Sequence, residues 1–160
     1  MAFVNLIDRL YQLVLAIRTD VKALEAAYPT KDCLAVYLNT STNSTTAGWQ
    51  KVPLDTVQFD TGNIWVSATK RVVPKKAGKY SVTVRARTGT ASAIGAVAVW
   101  LNGATAANVG AEGALTGGGG SCLVHCNGTT DYIELYAYLT TVRAYTTGPA
   151  DNYLHVVGPF

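Results

Sequence analysis

Apolar positions along this chain follow two rhythms, and the change between them falls near residue 29. From residue 3 to about residue 27, Phe3, Leu6, Leu10, Leu13, Ile17 and Leu24 recur in steps that keep them on one stripe of a helix, with only Asp20 breaking the register. A second row, Ile7, Val14 and Val21, lies beside the first and widens the apolar face. So wide a face suits three packed helices, or a helix lying on a foreign surface, better than a two-stranded seam. Folding back onto its own domain is the third reading, because amphipathicity does not name the surface a helix covers. Pro29 disfavours helix at Tyr28 and ends the segment, which gives a helical arm over residues 1–29 and a second domain over 30–160.

Beyond residue 33 the rhythm becomes alternation broken by turn residues. Ten strands are predicted, at 33–38, 50–54, 63–66, 71–73, 79–87, 96–101, 105–109, 121–126, 132–140 and 153–157. Asn102-Gly103 between two such runs is a two-residue hairpin signal, since both positions need positive φ, and Asn127-Gly128 marks a turn in a slightly longer loop. Short strands with no helix between them read as an antiparallel sandwich of jelly-roll type. In Y-S-V-T-V-R-A-R, Tyr80, Val82, Val84 and Ala86 face one way. In Y-I-E-L-Y-A-Y-L, an aliphatic face (Ile133, Leu135, Ala137, Leu139) backs a row of Tyr132, Glu134, Tyr136 and Tyr138. A tyrosine row combines large area with polar tips, which fits either an interface or cross-strand packing within one chain.

Composition sharpens this picture. The 160 residues are one-domain sized, long enough to bury about 68–70% of the unfolded surface without disulfides or metals. Apolar residues reach 49% and charged ones only 14%, so part of the surface is expected to be covered by another chain. A net charge of +3 is too small to make nucleic acid the main partner. Three cysteines, Cys33, Cys122 and Cys126, fit buried thiols in a reducing compartment. The apolar run at 13–17 is flanked by Asp8, Arg9, Arg18 and Asp20 and is too short for an export core or a membrane span.

Candidate chemistry is sparse. Phe59-Asp60-Thr61-Gly62 has the form of an aspartic-protease motif, but Asn63-Ile64-Trp65 follows where such enzymes carry Ala, Ser or Thr, and no flap element stands at the expected distance. The competing reading is a turn whose Asp60 carboxylate caps backbone amides. Cys122 and Cys126 face one way on a strand and His125 the other, so they cannot converge on one metal ion. The glycine run at 117–120 lacks the lysine of a phosphate-binding loop and reads as a mobile strand connection. Lys70, Arg71, Lys75, Lys76 and Lys79 read as a solvated loop or a footprint on an acidic partner. No catalytic, metal or cofactor site is expected.

The motifs also form an ordered series: Phe59-Asp60, Pro74, Ala77-Gly78-Lys79-Tyr80, Leu101-Asn102-Gly103 and Asp131-Tyr132-Ile133-Glu134-Leu135. Over residues 33–160 this series resembles the jelly-roll family of tumour necrosis factor and the complement-one-q globular head, and most of all its bacteriophage branch. The resemblance implies a compact, non-enzymatic homotrimer whose last strand, containing Tyr153, lies near the threefold axis. Tyr80, Tyr132, Tyr136, Tyr138 and Tyr153 are the expected trimer contacts. Gly78 is expected to adopt positive φ in a tight turn that aims Tyr80 at the core. A phage virion protein follows as the expected function: a capsid decoration (cement) protein or short head spike, assembled in the host cytoplasm and partnered by the major capsid protein. The alternative is the receptor-binding tip of a tail fibre, touching a host-surface receptor through loops 40–48 and 110–120.

Overall fold

The computed structural model describes residues 2–27, 31–41, 46–89, 93–110 and 116–160, with helix side chains described for residues 6–23. Two compact units divide the chain, Met1–Thr30 and Lys31–Phe160. The first consists of α1 (Ala2–Ala27), which by its 26 residues is about 39 Å long. Within that unit Leu6, Leu10, Leu13 and Ile17 are each more than half exposed, while the side chains of Phe3 and Leu24 lie outside the described residues. Among the described residues no helix is long and apolar enough to cross a membrane.

The second unit is an antiparallel jelly-roll sandwich. Its strands are β1 (Asp32–Tyr37), β2 (Gly48–Lys51), β3 (Thr56–Asp60), β4 (Trp65–Val66), β5 (Arg71–Val72) and β6 (Ala77–Arg87), followed by β7 (Ile94–Leu101), β8 (Ala104–Gly110), β9 (Gly117–Asn127), β10 (Ile133–Leu139) and β11 (Tyr153–Gly158). One sheet has the order β3-β1-β11-β6-β9. The other runs β4-β5-β10-β7-β8, with β2 beside β5 along the same edge of β10. Between the sheets, Leu34, Val36, Val82, Val84, Leu154 and Val156 meet Val97, Val99, Ile133, Leu135 and Leu139, all at most 2% exposed. Side chains of this size contribute about 1.5–3 kcal/mol each on full burial, so this layer dominates the stability of the unit.

Turn chemistry is as the residues dictate. Asn102 (φ 54°) and Gly103 (φ 79°) join β7 to β8, and the Asn102 side chain both accepts from the Tyr132 amide (3.0 Å) and donates to Asp131 (2.8 Å). Asp60 ends β3 and accepts the amides of Ile64 (3.0 Å) and Trp65 (2.9 Å), one on each carboxylate oxygen. Asp-Thr-Gly is therefore a capped turn.

Three expectations need correction. The glycine run at 117–120 is not a connection; it is the first third of β9, paired with Val84, Arg85, Ala86 and Arg87 of β6. Neighbouring backbone requires the glycines, since a Cβ on Gly119 would lie 2.3 Å from the Val84 carbonyl oxygen and one on Gly120 2.1 Å from that of Val109. β3 lies where no strand was expected, because Val57 and Phe59 sit on a sheet edge and do not show a buried alternation. Gly78 does have positive φ (148°), but inside β6; a Cβ there would come within 2.5 Å of Pro159, so close approach to the C-terminal segment is what excludes a larger residue.

Candidate self-association surface

Each sheet has an outer face, and strand register places its residues in rows. On the β3-β1-β11-β6-β9 sheet one row reads Cys33, Val157, Ser81, Leu123, and the next reads Phe59, Ala35, His155, Thr83, Ser121. A third contains Tyr37, Tyr153, Arg85 and Gly119. The middle of this face holds small or uncharged side chains, and its cationic groups, Lys79, Arg85 and Arg87, lie at the ends of β6. Leu123 is 69% exposed, Phe59 46% and Val157 36%, so these apolar groups are left without cover by the sandwich itself. Ala35, at 2%, is shielded by its larger neighbours.

His155 stands at the centre of the face and stacks on Tyr153, with ring centroids 4.5 Å apart. Burial holds its imidazole below the ordinary histidine value, which favours the neutral form. Thr83 and Ser121 satisfy one another through a 2.8 Å hydroxyl bond. Beside them a groove of ≈ 390 Å³ runs over the glycines of β9, lined also by Thr83, Arg85 and Tyr153.

The opposite outer face is built differently. Tyr136 stacks on Trp100 (4.0 Å, 16°), and Trp49 meets Trp100 at 6.0 Å and Tyr138 edge-on at 5.5 Å. Beneath these rings Glu134, its side chain 1% exposed, is ion-paired with Lys51 and with Arg71 (2.7 Å). The Arg71 guanidinium also lies 4.0 Å from the Tyr132 ring centroid. Strands β2, β5, β7 and β10 are thus tied together by side chains of the same chain, although Tyr138 at the end of the aromatic row stays 42% exposed.

The five expected contact tyrosines are therefore dispersed. Tyr80 is fully buried in the core, its hydroxyl donating to the Lys76 carbonyl (2.9 Å) and pushed up to about 12 by burial, so it cannot touch a neighbouring copy. Tyr132, Tyr136 and Tyr138 belong to the aromatic clamp, and only Tyr153 lies on the bare face. The basic group is also partly internal: Arg71 pairs with Glu134, and Lys76 with Asp32 at 2.9 Å. The bare face itself was missed, yet β1 (D-C-L-A-V-Y) and β11 (Y-L-H-V-V-G) are apolar on both alternations, the pattern of strands covered on both sides.

The groups with candidate chemistry are each engaged or held apart among the described residues. Both Asp60 oxygens are engaged by backbone amides, burial pushes the Cys126 thiol up to about 11, and Cys122 is raised for the same reason. His125 pairs across from Lys79 on the outer row while Cys122 and Cys126 pair with Val82 and Gly78 on the inner one. Among the described residues no three His, Cys, Asp or Glu side chains gather to hold a metal.

An antiparallel jelly roll of this strand order has the tumour necrosis factor-like and complement-one-q-like fold. Solved structures bear this out. Murine APRIL at pH 8.5 is similar with a TM-score of 0.63 at 13% identity, covering 80% of this chain and 98% of its own. The globular domain of zebrafish complement 1qA gives 0.57 at 11% identity, covering 81% and 97%, and the Eiger TNF of S. frugiperda 0.53 at 11%, covering 82% and 94%. No family model and no curated protein matches the sequence.

Proposed function

We propose that this chain is a non-enzymatic structural protein that works as a homotrimer, each sandwich covering the bare face of the next with β11 nearest the axis. The observation that carries this reading is the contrast between the two faces: one is closed by its own aromatic rings and ion pairs, while the other presents Leu123, Val157 and Phe59 around an uncharged centre. A depletion of charge at the middle with apolar groups and tyrosine around it is the make-up of an interface core. The motif series carries the proposal further, to a capsid decoration protein or short head spike of a bacteriophage. The apolar stripe of α1, with Leu6, Leu10, Leu13 and Ile17 more than half exposed, is suited to bundling or to docking on a particle.

Two measurements test this. Sedimentation equilibrium at micromolar concentration is expected to give three times the 16.9 kDa chain mass, and a monomer overturns the trimer. Antibody labelling of virions is expected to mark the head; labelling confined to the tail overturns the capsid assignment and favours a receptor-binding tip. A chain starting at Thr30 is expected to fold and yet fail to join particles.

A further inference from the structure

Along α1, Leu6, Leu10, Leu13, Ile17 and Asp20 follow one another in steps of four, three, four and three. That is a mean step of 3.5 residues, the period that keeps one stripe facing a partner helix as the two supercoil. Leu6, Leu10, Leu13 and Ile17 are 53–57% exposed, so the stripe is unpartnered within the helical unit. A flat protein surface imposes no such period, whereas a helix of the same sequence does. Leu10 and Ile17 occupy the a positions of the heptad and Leu6, Leu13 and Asp20 the d positions, with Ile7, Val14 and Val21 at e widening the contact beyond a two-stranded seam.

We infer that α1 packs in parallel against α1 of two further copies, and that Asp20 is the layer that fixes their register. This rests on the homotrimer proposed above. The helix ends at Ala27 and β1, next to β11 of the bare sheet, begins at Asp32, a stretch that spans at most about 18 Å. In the homotrimer proposed above each chain brings its own α1, so three copies of the stripe are tethered at high effective concentration. In register, the three Asp20 side chains share a single polar layer. Slipped by one heptad, Asp20 faces Leu13 of a neighbour and two layers are spoiled, so a polar d position selects the aligned state at a cost in stability.

The residues packed against that layer from each helix are Ala16, Val21 and Ala23, at g and e, none of which is charged. Arg18 and Lys22 fall at b and f, on the outside, Arg9 is more than a heptad away, and Thr19 at c bonds back to the Leu15 carbonyl at 3.0 Å. The three carboxylates thus meet like charge without a cation, which makes the aligned layer costly while still cheaper than two mismatched ones.

The full chain provides separate probes for the test, since Trp49, Trp65 and Trp100, its only tryptophans, all lie in the sandwich. Circular dichroism at 222 nm follows the helix and tryptophan fluorescence the sandwich. Asp20→Leu is expected to raise the helix midpoint by about 10 °C or more at pH 7, with the fluorescence transition unchanged. Asp20→Asn, which keeps a polar layer without charge, is expected to give a smaller rise. If helix midpoints are equal in all three proteins while sedimentation still gives three chains, the inference fails and the homotrimer stands. A monomeric wild type overturns both.

Discussion

The two outer faces of the sandwich answer the same problem in opposite ways. Both belong to strands whose inner side chains fill one core, so each must deal with a second surface. On the β4-β5-β10-β7-β8 side the chain ties itself together, with Trp49, Trp100, Tyr136 and Tyr138 in contact with one another and a buried Glu134 held by Lys51 and Arg71. On the β3-β1-β11-β6-β9 side it leaves Cys33, Val157, Ser81 and Thr83, with no ring or ion pair of its own laid over them among the described residues, and Leu123 standing out into solvent. A face tied together by its own rings and ion pairs has less to gain from a partner. A face left flat, small and uncharged is suited to burial against another molecule, and for a chain with this fold the second copy is the partner we propose.

Substitutions can break this comparison on either side. The largest effect is expected from Val157→Arg, which sets an unpaired cation in the middle of the bare face; association should weaken by at least about a hundredfold, roughly 3 kcal/mol, as read by sedimentation. Tryptophan fluorescence of the monomer should stay native. Glu134→Ala does the reverse. It leaves two cations without their shared carboxylate and should cost about 3 kcal/mol of sandwich stability in urea unfolding, while the surviving folded protein still sediments as three chains. Asn102→Ala, at a φ of 54° and with the loss of its bonds to Asp131 and the Tyr132 amide, should destabilise by about 1–2 kcal/mol and touch neither face.

The smallest effect concerns pH. Because burial lowers His155 from the ordinary 6.5, the unfolded chain binds the proton more readily. Stability from this residue is therefore present above that value and declines as pH falls through the folded one, and a neighbour covering the face accentuates the loss. His155→Gln should flatten the acid limb of the fluorescence melt by a few degrees at most. Acid thus loosens the sandwich, and tryptophan fluorescence reports the loss.

What the sequence made legible follows from how local each signal is. Alternation along β10 placed Ile133, Leu135, Ala137 and Leu139 in the core, and Asn102-Gly103 announced its hairpin, because both are properties of a few adjacent residues. The Asp60 turn was readable for the same reason. Glycines 117–120 were misread because they answer to Val84 and Val109, far away in the chain. The bare face was hidden more deeply. Its row Cys33, Val157, Ser81, Leu123 draws on four strands whose order across the sheet is not their order in sequence. The tyrosines were visible as a row, but the choice between an interface and an intrachain clamp was decided by Trp49, Trp100 and Arg71 arriving from other strands.

Hydroxyl-radical footprinting of the full chain, read by mass spectrometry at nanomolar and at tens of micromolar concentration, compares the two faces in one experiment. Leu123, Val157 and Tyr153 are expected to lose reactivity as concentration rises, while Trp49 and Tyr138 react equally at both. Unchanged labelling of Leu123 and Val157, or protection that falls on Tyr138 instead, would contradict the claim that the bare face is where copies of this chain meet.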